Sequence, residues 1–535
     1  MSGPAARCRR QGESVLLHES FERTAERLSA KVALIDGPRR VNYGEVLRQS
    51  RILARLLRGD GVAPGDRVLL MLENSIEYAV GVHAVLLAGA VLVPVHPMAK
   101  TEKVAFIANE TRATALLSHA LLAPAWRVAV GQSPTLKSCR IVGAGRQATD
   151  DQRVRPWPDE SAPSGTIASD RIDQDLAAVI YTSGTTGKPK GVMLTHLNMT
   201  SAWNSVQSYL GLRDDDVIGL ALPPVFSYGL YNLLMGLGLG ATVVLERMAV
   251  FPLKLAESLQ DTRVTVFPSV PTMFSALLGV PDLGRFDLSA IRLVTNAAAA
   301  LPEAHIKRLR KALPGATLLS MYGLTECKRA SYLPFEALDA RPGSVGRGIP
   351  NQEHWLIDEE GRRLPYGATG ELVVRGSHVM QGYWERPVET AERLKPGPIA
   401  GERVLHTGDI FRTDEEGYLY FIARKDDIIK SRGEKVAPRE VENAVLGLED
   451  VTGCAVVGVD DEALGQAVKA YVTLRPGSRL TEREIIRHCL AHLENYMAPK
   501  IVEIVDELPH TESGKVCHAA LRKNAKGFDK TDSRR

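Results

Sequence analysis

Residues 181–192 read Tyr181-Thr-Ser-Gly-Thr-Thr-Gly-Lys-Pro-Lys-Gly-Val192. Five hydroxyl residues, three glycines and two lysines share this one stretch. Glycine lets a backbone turn sharply and approach a ligand closely. Backbone N–H groups, hydroxyls and ammonium groups are what a polyphosphate needs around it. The stretch follows Leu176-Ala-Ala-Val-Ile180, an apolar run that reads as a buried strand. A strand that feeds a Gly/Ser/Thr loop presents phosphate-binding groups. A P-loop is excluded. It requires four residues between its glycine and Gly-Lys-Ser/Thr, whereas Gly184 and Gly187 are three apart and Pro189 follows Lys188. A flexible linker would neither begin at a buried strand nor carry lysines so closely.

The chain has 535 residues, too many for one core, so two or more domains are expected. Its 66 basic and 63 acidic residues nearly balance, which gives no argument for nucleic acid or a charged membrane surface. Cys8, Cys139, Cys327, Cys454, Cys489 and Cys517 form no CxxC pair and read as free thiols in a reducing compartment. Met1–Glu13 is polar, with Arg7, Arg9 and Arg10 and no apolar core, so it is not a secretory signal. The longest apolar run, Ala79–Val95, is broken by Gly81, His83, Gly89 and Pro94. It reads as a buried helix running into a strand at Val91–Val95, not as a membrane span. The expected location is cytoplasmic.

Outward from the opening stretch, strand-like and helix-like segments alternate. Arg67–Met71, Thr242–Leu245 and Val264–Phe267 look like strands, and 75–88 and Leu301–Leu313 look like helices. This alternation predicts an α/β architecture. Residues 150–170 read as a surface loop. The composition changes from Asp409 onward, and the last part reads as a small α+β unit in which Thr481 and Glu484 form a capping box. From Lys523 the chain reads as a loose tail.

Four further segments carry chemistry. Ser320-Met-Tyr-Gly-Leu-Thr-Glu326 offers a hydroxyl and a carboxylate beside a glycine. His406-Thr-Gly-Asp409 offers an acceptor for ribose hydroxyls. Ala423–Val436 is a charged stretch, which alone reads as a solvated linker. Pro509-His-Thr-Glu-Ser-Gly-Lys515 sets a lysine on a Gly/Ser loop, which alone reads as a surface lysine.

In order and spacing, the five segments together resemble the superfamily of acyl-CoA synthetases, nonribosomal peptide adenylation domains and luciferases. The resemblance runs from about Leu16 to Leu521 and is closest to AMP-forming acyl-CoA ligases. It implies a large N-terminal domain of mixed α/β layers (15–424), a small mobile α+β C-terminal domain (425–523), and flexible tails at 1–14 and 524–535. It implies an enzyme that uses ATP and Mg²⁺ to convert a carboxylic acid to an acyl-adenylate, then passes the acyl group to a thiol.

The residue roles below are also those the resemblance implies. Thr182, Ser183, Gly184, Thr185, Thr186 and Gly187 cradle the β- and γ-phosphates, with Lys190 nearby. Asn296, Ala297, Ala298, Met321, Tyr322 and Gly323 surround the adenine and the rest of the nucleotide. Thr325 contacts the α-phosphate and Glu326 holds Mg²⁺. Asp409 binds the ribose, helped by Arg424. Lys515 bridges the carboxylate and the α-phosphate. Asp426 is the hinge and Gly433 borders the thiol tunnel. Ser227, Tyr228, Tyr231 and Ala330 line the acyl pocket.

Some residues depart from the family pattern. Ser227 stands where amino-acid-activating domains carry an Asp that pairs with the substrate amine. A neutral serine cannot neutralise an ammonium group, so an acid without that amino group is expected. Asn296-Ala-Ala-Ala-Ala300 replaces a glycine-rich stretch and narrows the local space. Phe226 stands where many acyl-CoA synthetases have a histidine. Arg329 either meets an acidic group on the substrate or is structural or exposed. Ser431–Glu442 looks like CoA ligases, which favours CoA as the thiol. A carrier-protein phosphopantetheine, and an inactive nucleotide-binding protein, remain the alternatives.

Overall fold

A computed structural model describes residues 16–143, 151–159, 161–165, 167, 170–182, 189–247, 251–297, 303–431, 434–461, 464–511 and 516–525. The expected tail at 1–14 lies outside them, as does 526–535 of the expected tail at 524–535, whose first two residues end the helix His518–Ala525.

Two large sheets dominate the N-terminal part. One has eight strands among the described residues. At its centre, Val91–Pro94, Arg67–Leu70 and Ala115–His119 run parallel. Their near-continuous aliphatic sequence fits strands covered on both faces. Ile76–Leu87 is buried along its length and runs between two of them, as the apolar run predicts. The other sheet has nine strands among the described residues. In it Val266–Ser269, Leu293–Asn296 and Thr317–Tyr322 run parallel and end side by side. Crevices at the carboxyl ends of parallel strands are where α/β proteins bind ligands.

The opening stretch sits on a hairpin. Leu176–Thr182 pairs antiparallel with Lys190–Thr195, with Tyr181 opposite Gly191 and Thr182 opposite Lys190. A P-loop would run from strand to loop to helix. Here the chain returns as a strand before His196–Leu210 begins, its first turn closed by a reciprocal Thr195–Asn198 capping box. Gly191 is required by contact: a Cβ there would lie 2.7 Å from Val179 Cγ1 and 3.1 Å from the Tyr181 ring.

Two sequence expectations change. Residues 150–170 are not all loop, because Val154–Pro156 adds an edge strand beside Ser138–Val142. An edge strand tolerates proline because its outer N–H groups have no partner to lose. The change of composition at Asp409 falls inside a sheet. It lies within Arg403–Thr413, which pairs with Thr369–Arg375 and with Leu419–Arg424, so this five-stranded sheet continues through Arg424. The next sheet starts at Ile429–Ser431 and is built on the long Val451–Asp461/Gly465–Leu474 pair. Lys523 is not yet tail: helix His518–Ala525 includes it. The Thr481 capping box does open its helix, Glu482–His492.

Candidate active site

The Thr-Glu motif leaves the strand Thr317–Tyr322 as a tight loop. Ala330 N–H donates to Tyr322 O at 2.9 Å and closes it. Gly323 permits the closure, since a Cβ there would lie 2.4 Å from Lys328 O. Thr325 and Glu326 are half-buried. Glu326 is fixed twice: its carbonyl accepts from Met380 N–H at 2.8 Å, and its Oε1 accepts from Tyr383 Oη at 2.8 Å. Burial and the neighbouring carboxylate push the Tyr383 hydroxyl up, so it keeps its proton and donates. Tyr383 belongs to the short strand Gly382–Tyr383, which pairs with Lys190–Thr195. Lys190 Nζ lies 5.5 Å from the Tyr383 ring centre. The hairpin lysine and the motif glutamate therefore share one tyrosine.

Asp409 meets the same motif from the other side. It is 6 % exposed, and its Oδ2 accepts from Tyr322 Oη at 2.6 Å. Arg424 stands opposite it in register, with Nε 3.6 Å from Oδ1. Burial pushes the Asp409 carboxyl above its usual range against the pull of Arg424. Gly408 takes a positive φ of 70°, and a Cβ there would strike Arg393. The Gly408 N–H donates to Glu371 Oε1 at 3.0 Å, and Glu371 also pairs with Lys425 at 3.0 Å.

Asn296 and Ala297 are buried at the end of Leu293–Asn296, and Met321 is buried beside Tyr322. Thr182 ends its strand opposite Lys190. Asp426 sits in a single 3₁₀ turn, Lys425–Asp427, between the two sheets. Ser183, Gly184, Thr185, Thr186, Gly187, Ala298, Gly433 and Lys515 lie outside the described residues.

Helix Ser227–Leu239 faces the motif loop. Tyr228 Oη bonds Thr295 Oγ1 at 2.7 Å, Tyr231 is fully buried, and Ala330 is buried. His96 reaches Phe226, the ring centres 5.8 Å apart, so a histidine arrives from elsewhere in the chain.

Two cations join this helix. Arg329 is 2 % exposed, which removes the exposed reading, and Lys328 is 4 % exposed. Lys328 Nζ lies 4.5 Å from the Tyr231 ring centre and 5.1 Å from that of Tyr228. It donates to Ser227 O at 3.3 Å. Arg329 Cζ lies 5.0 Å from the Tyr228 ring centre, and its buried Nε has no hydrogen-bond partner. Among the described residues neither cation has a carboxylate partner. Cation–π contacts contribute about 0.5–2 kcal/mol each, whereas burying an ion costs several kcal/mol. Burial, then Arg329, hold the Lys328 ammonium well below its usual range.

Sequence reasoning missed Tyr383, Glu371, Arg393 and Lys328. The first three lie between the motifs with no local signal. Lys328 is buried because the loop turns through a positive φ of 60° there, which no periodicity reveals.

Residues 21–384 match the family model described as AMP-binding enzyme, and residues 440–515 match the AMP-binding enzyme C-terminal domain. The chain belongs to the AMP-binding enzyme family. It is 32% identical over 547 residues to a long-chain-fatty-acid–CoA ligase of Escherichia coli, covering 96% of this chain and 95% of that one. It superposes with a TM-score of 0.86, at 27% identity, on the anthranilate CoA ligase AuaEII in complex with anthranoyl-AMP, covering 96% of this chain and 98% of that one. The ATP-bound MatB of Rhodopseudomonas palustris gives a TM-score of 0.84 at 27% identity, covering 95% and 99%. This family member is an AMP-forming acid–thiol ligase. It activates a carboxylic acid as an acyl-adenylate and transfers the acyl group to a thiol. Among the described residues no helix is long and apolar enough to cross a membrane.

Proposed function

We propose that the chain joins a carboxylic acid lacking an α-amino group to CoA, with ATP as the energy source. A carboxylate oxygen attacks the α-phosphorus and the bond to pyrophosphate breaks. The CoA thiolate then attacks the acyl carbon and AMP leaves. The attack of one anion on another needs fixed geometry and local positive charge. The carrying observation is the convergence of Lys190, Glu326, Tyr383, Tyr322 and Asp409, which sequence separates widely.

In this reading the hairpin loop 182–187 and Lys190 take the β- and γ-phosphates, and Thr325 takes the α-phosphate. Asn296, Ala297, Ala298, Met321, Tyr322 and Gly323 surround the adenine side of the nucleotide, and Asp409 with Arg424 takes the ribose. Glu326 fits Mg²⁺: it is a hard oxygen donor, and Tyr383 commits only one of its two oxygens. The ion would neutralise phosphate charge. Lys515 would neutralise the meeting anions, and a turn at Asp426 would carry it in and out. We divide the chain at 424/425 on this basis, with Gly433 at the thiol tunnel. Arg329 and Lys328 beside Ser227 support a substrate without an ammonium group, which they would repel. The buried, unbridged Cys139, Cys327, Cys454 and Cys489 fit a reducing cytoplasm.

AMP release across fatty, aryl, hydroxy and amino acids tests the reading, with CoA, with a phosphopantetheinylated carrier protein, and with neither. CoA-stimulated release with a non-amino acid is expected. Release only with the carrier would assign the alternative acceptor.

A further inference from the structure

We infer that the acid carries a second carboxylate, and that Arg329, with Lys328, binds it in the acyl pocket. The inference rests on the ligase reading and on the pocket lying at Ser227, Tyr228, Tyr231 and Ala330.

The physical argument begins with what is missing. Two adjacent cations are almost fully buried against two tyrosine rings and have no acid partner among the described residues. Protein interiors pair such charges or leave them out. Elsewhere in the chain the rule is kept: the buried Asp60 takes Arg140, and the buried Asp216 takes Arg292. At 328–329 the deficit is positive and lies two and three residues from Glu326. An arriving anion would supply the missing partner. The planar guanidinium suits a carboxylate, because its parallel N–H groups match the two oxygens. The unpartnered Arg329 Nε is one such donor. Tyr228 and Tyr231 provide a wall for the chain between the two carboxylates. A purely aliphatic tail would bury itself against two charges and gain nothing from them. One carboxylate would react at the α-phosphorus while the other stayed bound and unreacted.

Activity is measured as CoA-dependent AMP release by the full-length protein. The acids are a graded series of α,ω-dicarboxylates, their monomethyl esters and the matching monocarboxylates. The preferred dicarboxylate should exceed its monomethyl ester by about a hundredfold in kcat/KM. R329M should collapse that ratio towards one, mainly through KM for the diacid. Equal turnover of diacid and monoester by the wild type would overturn the inference and leave the ligase reading intact. Should no acid release AMP, the ligase reading fails, and calorimetry still decides the pocket. Binding of a dicarboxylate to the wild type but not to R329M supports it, and equal or absent binding overturns it.

Discussion

Lys328 shows how far one residue can depart from its ordinary chemistry. Burial and the neighbouring Arg329 hold its ammonium well below the ordinary 10.5, and the Tyr228 and Tyr231 rings and the Ser227 carbonyl also lie against it. The sign follows from proton counting. Between the depressed native value and 10.5 the unfolded chain binds a proton that the native protein does not, so stability rises with pH across that window. The slope can reach about 1.4 kcal/mol per pH unit for a single proton. Denaturant unfolding across this window should show that rise in the wild type and lose it in K328M. A bound anion at Arg329 would draw the proton back, so ligand binding should take up protons. Calorimetry in buffers of different ionisation enthalpy would measure that uptake.

The hairpin is the element that delivers Lys190, and its packing is set by what is absent at Gly191. G191A would press a Cβ against Val179 and Tyr181. It should destabilise the protein by about 1–3 kcal/mol and weaken nucleotide binding. G59A, in open space at the end of helix Tyr43–Gly59, should be neutral or stabilising. Paired melting curves with and without ATP would separate the two. Equal behaviour would show that the hairpin tolerates displacement. At this scale much was legible. Ile76–Leu87 announced itself by its largely apolar sequence, and the Thr481 box by its spacing. The return strand Lys190–Thr195 was not legible. Gly191 and Pro189 look like loop residues until a partner strand is known, and only the Tyr181–Gly191 pairing explains the glycine. The motifs named the residues of the proposed nucleotide site. Tyr383 and Glu371, which hold it together, gave no signal because their roles depend on contacts 57 and 37 residues away in sequence.

For the molecule as a whole, the division of labour between the two units is testable. K515A should abolish adenylation, read as acid-dependent exchange of pyrophosphate into ATP, while leaving thioester formation from supplied acyl-adenylate within about tenfold of wild type. Equal loss of both would remove Lys515 from its proposed role. The units touch through pairs such as Lys435–Glu359, in which both side chains are largely exposed. Exposed pairs contribute about 0–1 kcal/mol, so such a contact sets no large barrier to rearrangement. The Tyr322–Asp409 hydrogen bond has a further consequence for throughput. Because Asp409 already has a donor at 2.6 Å, a ribose bound there as proposed would replace a protein partner instead of rescuing an orphaned acceptor. When spent AMP departs, the tyrosine can step back in, and the carboxylate is never stranded. That substitution should shorten the residence time of the product. In Y322F the vacated acceptor would have to wait for water, so AMP should linger, and a slower off-rate in a chase experiment would register it.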